Sequence, residues 1–474
     1  MSDGARHFTR RGPALALALV LAAGGAAAQG GGPRERVDRA VEGMGGEAAL
    51  RALASRSADF RAITFSTGQE EWPEGPRPVS VTEGREVIDW RGGRRMADTR
   101  LVGFNAPQRL VTTPTAGMVQ RDTLRTPATE AQVAAGARTL RLSPERLLLA
   151  ARSAEAVLAP LAGRSWRART LDGVAYRNGP DTLSLWFDRG TGRLAGVESV
   201  ADDPVFGVRR TFTAYGRWSR VGDAGVFLPT QVDVEVDGQP ASTTLYANLR
   251  VNAALDEAQL AVPPEVAARP STRPGVAVAE LAPGVLHVTG GSHHSLAVAQ
   301  GDSVVVVEAP QSPQRTRAVL DAVAERFPRA PVRLVVATHH HVDHVGGLRE
   351  VFDAGIAVAA PERSARYLAG VGLGGRPAPR PRTVRPVGDS LAVGTGERRM
   401  VLYSVPTSHA DGMLVAYLPA QRLLFQADLF PGPAELGADL YRFVRTKGLA
   451  VDRVAGAHGA VTPWEAFERA VSPR

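Results

Sequence analysis

The sequence predicts an α+β protein in two parts, a β-rich and mostly antiparallel N-terminal domain followed by a C-terminal domain in which strand and helix patterns alternate. Nine of the ten histidines lie between His287 and His458, so histidine chemistry belongs to the second part. A proline-rich stretch separates the two: Val262-Pro263-Pro264, then Arg269-Pro270-Ser271-Thr272-Arg273-Pro274-Gly275, which neither a helix interior nor a central strand accepts. Before it the apolar residues mostly alternate with period 2; after it helical stripes return between the strands.

The chain opens with Arg6, Arg10 and Arg11, an apolar run from Ala14 to Ala23, and the small residues Ala26-Ala27-Ala28. That run falls short of the about 20 residues a spanning helix needs, so residues 1–28 read as a signal peptide cleaved before Gln29. The protein is then expected to be periplasmic or secreted, with no permanent membrane span. A domain over 29–261 begins with a helical pattern (Val37, Ala40, Val41, Met44) and continues as strands. Gln231 to Asp237 alternates strictly, Asp237-Gly238 supplies a turn, and Ser242 to Val251 returns, a hairpin with one buried and one wet face. Leu183 to Asp188 and Leu194 to Val200 repeat the arrangement around Arg189-Gly190-Thr191-Gly192, and Thr211 to Trp218 is another strand. Residues 146–163 read as one more helix. The linker is placed at 262–276 and the second domain at 277–474.

In that second domain Val285 to Val288, Ser295 to Val298 and Ser303 to Glu308 read as strands, and Gln311 to Phe327 carries a helical stripe. Val332 to Ala337 is a continuous apolar run, expected to be a strand buried on both faces, and it leads into Thr338-His339-His340-His341-Val342-Asp343-His344-Val345-Gly346-Gly347. The chain has no cysteine, which excludes disulfides, thiolate ligands and cysteine nucleophiles, so any metal must be held by nitrogen and oxygen. His339, His341, Asp343 and His344 are the imidazole and carboxylate ligands that zinc takes. In an extended loop His339 and His341 face one side while Asp343 and His344 turn toward a second point, which predicts two adjacent sites. The formal charge of +8 comes almost entirely from arginine scattered among 48 acidic residues, with Lys447 the only lysine. Without a basic run, no nucleic-acid partner is expected.

The loop His339-x-His341-x-Asp343-His344 at the end of a strand resembles the metallo-β-lactamase superfamily, and the resemblance extends over residues 280–474. It implies a C-terminal αββα sandwich. It also singles out His409 in Val405-Pro406-Thr407-Ser408-His409, Asp428 after Leu423-Leu424-Phe425-Gln426-Ala427, and His458 in Ala455-Gly456-Ala457-His458-Gly459. By that likeness one metal takes His339, His341 and His409, and the other Asp343, His344 and His458. Asp428 is shared, Asp343 is the candidate catalytic residue, and two divalent ions, zinc foremost, are the cofactors. His340, between ligands, is expected to point away, and His287 to be structural. His293 and His294 are candidates for touching substrate or for supporting a ligand. Glu308, where the family often has aspartate, is a candidate to hold a ligand imidazole, with Asp411 as a second. Arg376, Arg380 and Arg382, interleaved with prolines, could form a basic rim. The N-terminal half, with Leu185-Trp186-Phe187-Asp188 and Gly225-Val226-Phe227-Leu228-Pro229 among antiparallel strands, resembles the half-barrel of the periplasmic lipoprotein-carrier superfamily. That implies an apolar concave face for lipid or lipoprotein; the competing reading is an accessory domain that packs on or presents the catalytic half.

Two metals about 3.5 to 4 Å apart polarise a substrate oxygen and supply hydroxide near neutral pH. The expected function is an exported dinuclear metal-dependent hydrolase whose metal-bound hydroxide attacks an ester, lactone, thioester or related bond of a small-molecule substrate. One alternative is a β-lactamase of the all-His/Asp-ligand type, against which Asp428 argues, since members with such ligands usually lack the bridging aspartate. Another is a periplasmic lipid or lipoprotein binding protein with a non-catalytic metal domain, against which the complete ligand set argues.

Overall fold

The structure, a computed structural model, describes residues 31–472 apart from 105, 224, 270–274 and 375–376. The signal peptide expected at 1–28, Arg376 and the centre of the proline-rich stretch lie outside the described residues.

Among the described residues the N-terminal part forms one 13-stranded sheet. One meander runs from Ser55–Phe65 to Leu124–Pro127 and another from Val157–Trp166 to Gln239–Val251. The two join where Phe60 faces Tyr246 in antiparallel register. The expected hairpin is the pair Val226–Val236 and Gln239–Val251, turned by Asp237 (φ 50°) and Gly238 (φ 78°), both in the left-handed region that a two-residue turn of this hand requires. Its wet face is drier than the alternation predicts. Asp233 is buried, accepting from Arg167 Nη1 at 2.7 Å and Thr243 Oγ1 at 2.9 Å, because the hairpin end at Trp166 and Arg167 folds over it.

The helices Pro33–Glu42, Glu47–Ala52 and Pro144–Ala151 lie on this sheet, where Val37, Val41, Leu50, Leu147 and Leu148 pack against Val174, Leu185, Val197 and Tyr215. Much of the apolar face that the half-barrel resemblance leaves open is thus filled by the chain's own helices. The helix expected over 146–163 ends at Ala151, and Val157–Trp166 is a strand instead. Pro160 cannot continue a helix, but it is tolerated in this strand because the strand is an edge of the sheet. The expected linker also starts later than the prolines suggest. Pro264 opens a short helix, Pro264–Ala267, whose Val266 is buried with Leu260 against Val87, Met96, Val111 and Met118 of the N-terminal sheet.

The C-terminal part has four layers. A seven-stranded sheet runs from Ala277–Ala282 to Val384–Val387 and a six-stranded sheet from Ser390–Val393 to Thr462–Pro463. Their inner faces share one core, with Leu296, Val298, Val305, Val307 and Val336 against Leu402, Leu414 and Phe425. Helices Pro313–Arg326, Leu348–Asp353 and Glu362–Ala369 cover the outside of the first sheet through Val319, Val323, Val351 and Leu368. Ala434–Thr446 and Trp464–Val471 cover the second through Leu436, Leu440 and Phe467. This is the α+β architecture that the sequence predicts, with the αββα sandwich at its C-terminal end. Val332–Val336 is buried on both faces only toward its C-terminal end, since Arg333 near its start remains exposed.

The two parts touch. Val205 and Phe206, at the bend between strands Leu194–Asp203 and Gly207–Val221, pack into the helix-covered core of the C-terminal part. Arg349 binds Asp202 in a forked pair at 2.5 and 3.2 Å, and Gly372 N donates to Val205 O at 2.5 Å.

Candidate metal centre

The strand Val332–Val336 stops where its last residues meet Glu308. Glu308 is fully buried at φ 81°, and its Oε1 accepts from Thr338 N at 3.2 Å while Oε2 accepts a hydrogen bond from His344 Nδ1. The imidazole that Glu308 holds is that of His344. Asp411 does not share this role: its backbone N donates to Glu71 O and its carboxylate pairs with Arg363.

Among the described residues two groups of potential ligands form. His339, His341, His409 and Asp428 bring their ligand atoms within 4.8 Å of one another, and so do His293, His344 and His458. Asp428 touches both groups. Its Oδ2 lies 2.9 Å from His409 Nε2, 2.9 Å from His344 Nε2 and 3.2 Å from His339 Nε2, and its Oδ1 lies 2.7 Å from His458 Nε2. It follows the strand Leu423–Gln426 at a left-handed φ of 58°, in a turn that Gln426 Oε1 pins by accepting from Leu429 N and Phe430 N. A non-glycine residue held in that region is strained, and such strain gathers where a side chain must be aimed.

The other ring nitrogens are also committed. His458 Nδ1 donates to Ser292 O at 2.7 Å, His341 Nε2 donates to Glu70 O at 2.9 Å, and His339 Nδ1 lies 3.0 Å from Thr338 Oγ1. That leaves His341 Nδ1 buried without a partner, while His339 Nε2 and His344 Nε2 are buried with Asp428 Oδ2 nearby but out of line for a hydrogen bond. Buried polar nitrogens in that state are costly, and a divalent cation held by nitrogen and carboxylate would satisfy them, so the residues present fit such an ion. Burial pushes the His341 imidazole down to about 4, leaving it neutral and ready to ligate at pH 7. Burial opposes ionisation of Asp428, but the imidazoles of His339, His344, His409 and His458 crowded around it outweigh that and hold the carboxyl far below the usual range. Burial likewise disfavours the His344 cation, yet Glu308 and Asp428 raise it well above the ordinary imidazole value.

Asp343 stands differently from its expected place. Its Oδ1 accepts from Gln69 Nε2 at 2.7 Å, its Oδ2 lies 3.2 Å from His293 Nε2, and it is 3.9 Å from His344 Nε2. His293, which the sequence reading gave as a candidate for touching substrate or supporting a ligand, is the residue that clusters with His344 and His458, and Asp343 lies beside it. The Gly-Gly-Ser-His-His hairpin marks His293 as near the site, but nothing local distinguishes it from His294, whose ring packs on His287 with centroids 5.0 Å apart. His287 Nε2 donates to Gly456 O at 3.0 Å, a structural role. His340 is fully buried, turned out of both groups and set edge-on against Tyr367. The basic rim is not built by the two arginines described: Arg380 donates to Asp353 O, and Arg382 donates to Ala369 O and Val371 O while lying over the Phe352 ring.

Residues 288–463 match the family model described as Metallo-beta-lactamase superfamily. Over 148 residues the chain is 31% identical to the 2,4-dinitroanisole O-demethylase subunit alpha of Nocardioides sp. (strain JS1661), covering 31% of this chain and 44% of that protein. Over 150 residues it is 29% identical to an (R)-specific secondary-alkylsulfatase of Pseudomonas sp, covering 29% of this chain and 22% of that protein. The chain thus spans less than half the length of either relative. Among solved structures, a metallo-beta-lactamase from Pontibacter korlensis superposes with a TM-score of 0.35 at 20% identity, covering 42% of this chain and 98% of that one.

Proposed function

With a C-terminal domain of the metallo-β-lactamase superfamily as premise, we propose that the protein is an exported dinuclear metallohydrolase acting on a small molecule. The observation that carries this reading is Asp428, whose two oxygens face two groups of imidazoles, with His341 Nδ1 buried and unpartnered in the first of them. By this reading His339, His341, His409 and Asp428 would hold one ion, and His344 and His458 with His293 or Asp343 the other. Two ions so held would supply Lewis acidity toward a substrate oxygen and lower the pKa of water toward neutral.

The protein's own groups do the rest. Glu308 fixes the His344 ring by accepting at Nδ1, Ser292 O fixes His458 in the same way, and Glu70 O fixes His341. Asp343 Oδ2, beside His293 and near His344, is the carboxylate placed to receive the proton that water gives up. The bond class is ester, lactone, thioester or a related bond. The relatives' names, which speak of O-demethylation of an aryl ether and of secondary alkyl sulfates, extend the screen to those two classes.

Purified protein should hydrolyse at least one of lactones, thioesters, β-lactams, phosphodiesters, sulfate esters and aryl methyl ethers, with about two metals per chain and activity lost to chelator. Bound metal with no hydrolysis anywhere in that screen would favour a binding protein. Export rests on the basic start, short apolar run and Ala26-Ala27-Ala28, and the intact mass of the exported form should correspond to a start at Gln29.

A further inference from the structure

Phe65 pairs with Val79 across the strands Ser55–Phe65 and Val79–Asp89, and Ser66 N donates to Pro78 O at 2.9 Å, so a short turn would close this hairpin. Instead the 66–78 connection leaves the N-terminal sheet and lies along the histidine loop of the other domain. It is pinned at two points. Val342 N donates to Gly68 O at 3.0 Å and Asp411 N donates to Glu71 O at 2.7 Å. Between those pins, Glu70 O accepts from His341 Nε2 at 2.9 Å and Gln69 Nε2 donates to Asp343 Oδ1 at 2.7 Å. The Glu70 side chain turns back to cap its own segment, accepting from Gly68 N at 2.6 Å. Gly68 lies so close to Val342 that a Cβ would fall 2.2 Å from Val342 Cγ1, at a φ of 78° that disfavours any side chain.

We infer that residues 68–71 of the N-terminal domain are a positioning wall of the metal site, with Glu70 O setting the His341 tautomer and Gln69 orienting Asp343. An imidazole that donates from Nε2 must present Nδ1 as its lone pair, and His341 Nδ1 is the nitrogen left buried without a partner. A carboxylate whose Oδ1 is held by an amide keeps Oδ2 turned toward His293 and His344. The N-terminal domain therefore supports His341 of the first group and Asp343 beside the second. This inference rests on the reading of the site as a metal centre and adds a specific role for the other domain.

The test uses the full-length chain with zinc alone, measured by competition with a chromophoric chelator, and with cobalt(II) as a spectroscopic probe. Gln69→Leu removes the amide and keeps the bulk. It should weaken one of the two zinc sites about 10- to 100-fold, the usual cost of losing such a support, shift the cobalt spectrum, and leave the far-UV circular dichroism and melting temperature of the metal-free protein unchanged. Gly68→Val displaces the whole segment and should weaken the His341 side as well. If that variant fails to fold, Gln69→Leu decides alone. Wild-type zinc affinity and an unshifted cobalt spectrum in Gln69→Leu would overturn the inference. A wild-type protein that binds no zinc would overturn the metal-centre reading itself, and the inference with it, which is a different result from a variant that matches a zinc-loaded wild type.

Discussion

Part-buried Asp428 and fully buried Glu308 are both acids at positive φ beside histidines, but they act at different removes. Asp428 lies within 3.2 Å of four imidazole nitrogens drawn from both groups, whereas Glu308 reaches only His344 among them. Asp428→Ala should therefore lower bound metal from about two per chain toward one and cut turnover well beyond the roughly 10- to 100-fold expected of Glu308→Gln. Metal analysis and kcat/KM on the two variants check the order. Equal losses would place the two carboxylates in equivalent roles, and an Asp428→Ala protein that keeps two metals would remove it as the bridge.

At the scale of elements, the N-terminal sheet is stitched by a buried ion network. Glu86, on Val79–Asp89, takes Arg56 Nη2 from Ser55–Phe65 at 2.8 Å and Arg95 Nε from Arg94–Leu101 at 2.8 Å. Burial alone would raise the Glu86 carboxyl, but the Arg56 and Arg95 charges and their hydrogen bonds outweigh it and lower it. A carboxyl lowered on folding contributes stability that is fully present above its unfolded value of about 4.3 and is lost as pH falls through the lower folded value. Glu86→Gln should thus cost about 3 kcal/mol near neutral pH, as breaking a buried pair does. The gap from wild type should close as pH falls below about 4. Denaturant melts of the two proteins across pH 3 to 7 measure it; a gap independent of pH would mean that the charge on Glu86 is not what the strands use.

For the whole molecule, the bend at 204–207 puts Val205 and Phe206 of one part into the core of the other, beside the Arg349–Asp202 pair. The two parts should therefore unfold together, and calorimetry of the metal-free protein should show one transition. Gly207 has φ 75°, and a Cβ there would fall 2.4 Å from Gly374 N. Gly207→Val should force the contact open, lower the melting temperature and split the transition in two. Two transitions already in the wild type would mean that the shared core is too small to couple the parts.

What the sequence determined by itself was set by short-range pattern and by residue chemistry. Alternation marked the hairpin at Asp237-Gly238, the apolar run Val332 to Ala337 marked the strand that delivers the histidine loop, and the absence of cysteine left imidazole and carboxylate as the only strong ligands. His339, His341 and His344 stand out in one short loop after a strand-like run, and the resemblance to the metallo-β-lactamase superfamily adds His409, Asp428 and His458. Tertiary structure alone decided that His293 joins the second group, that Asp343 turns to Gln69, and that Arg382 lies on Phe352 instead of at the rim. The same holds for Pro160, whose place on a sheet edge is a matter of which strands pair. The sharpest case is Glu70, which touches His341 across 271 positions through its backbone carbonyl. Every residue carries that group, so no residue type announces it, and only the packing of one domain's loop on the other's determines which carbonyl meets the histidine.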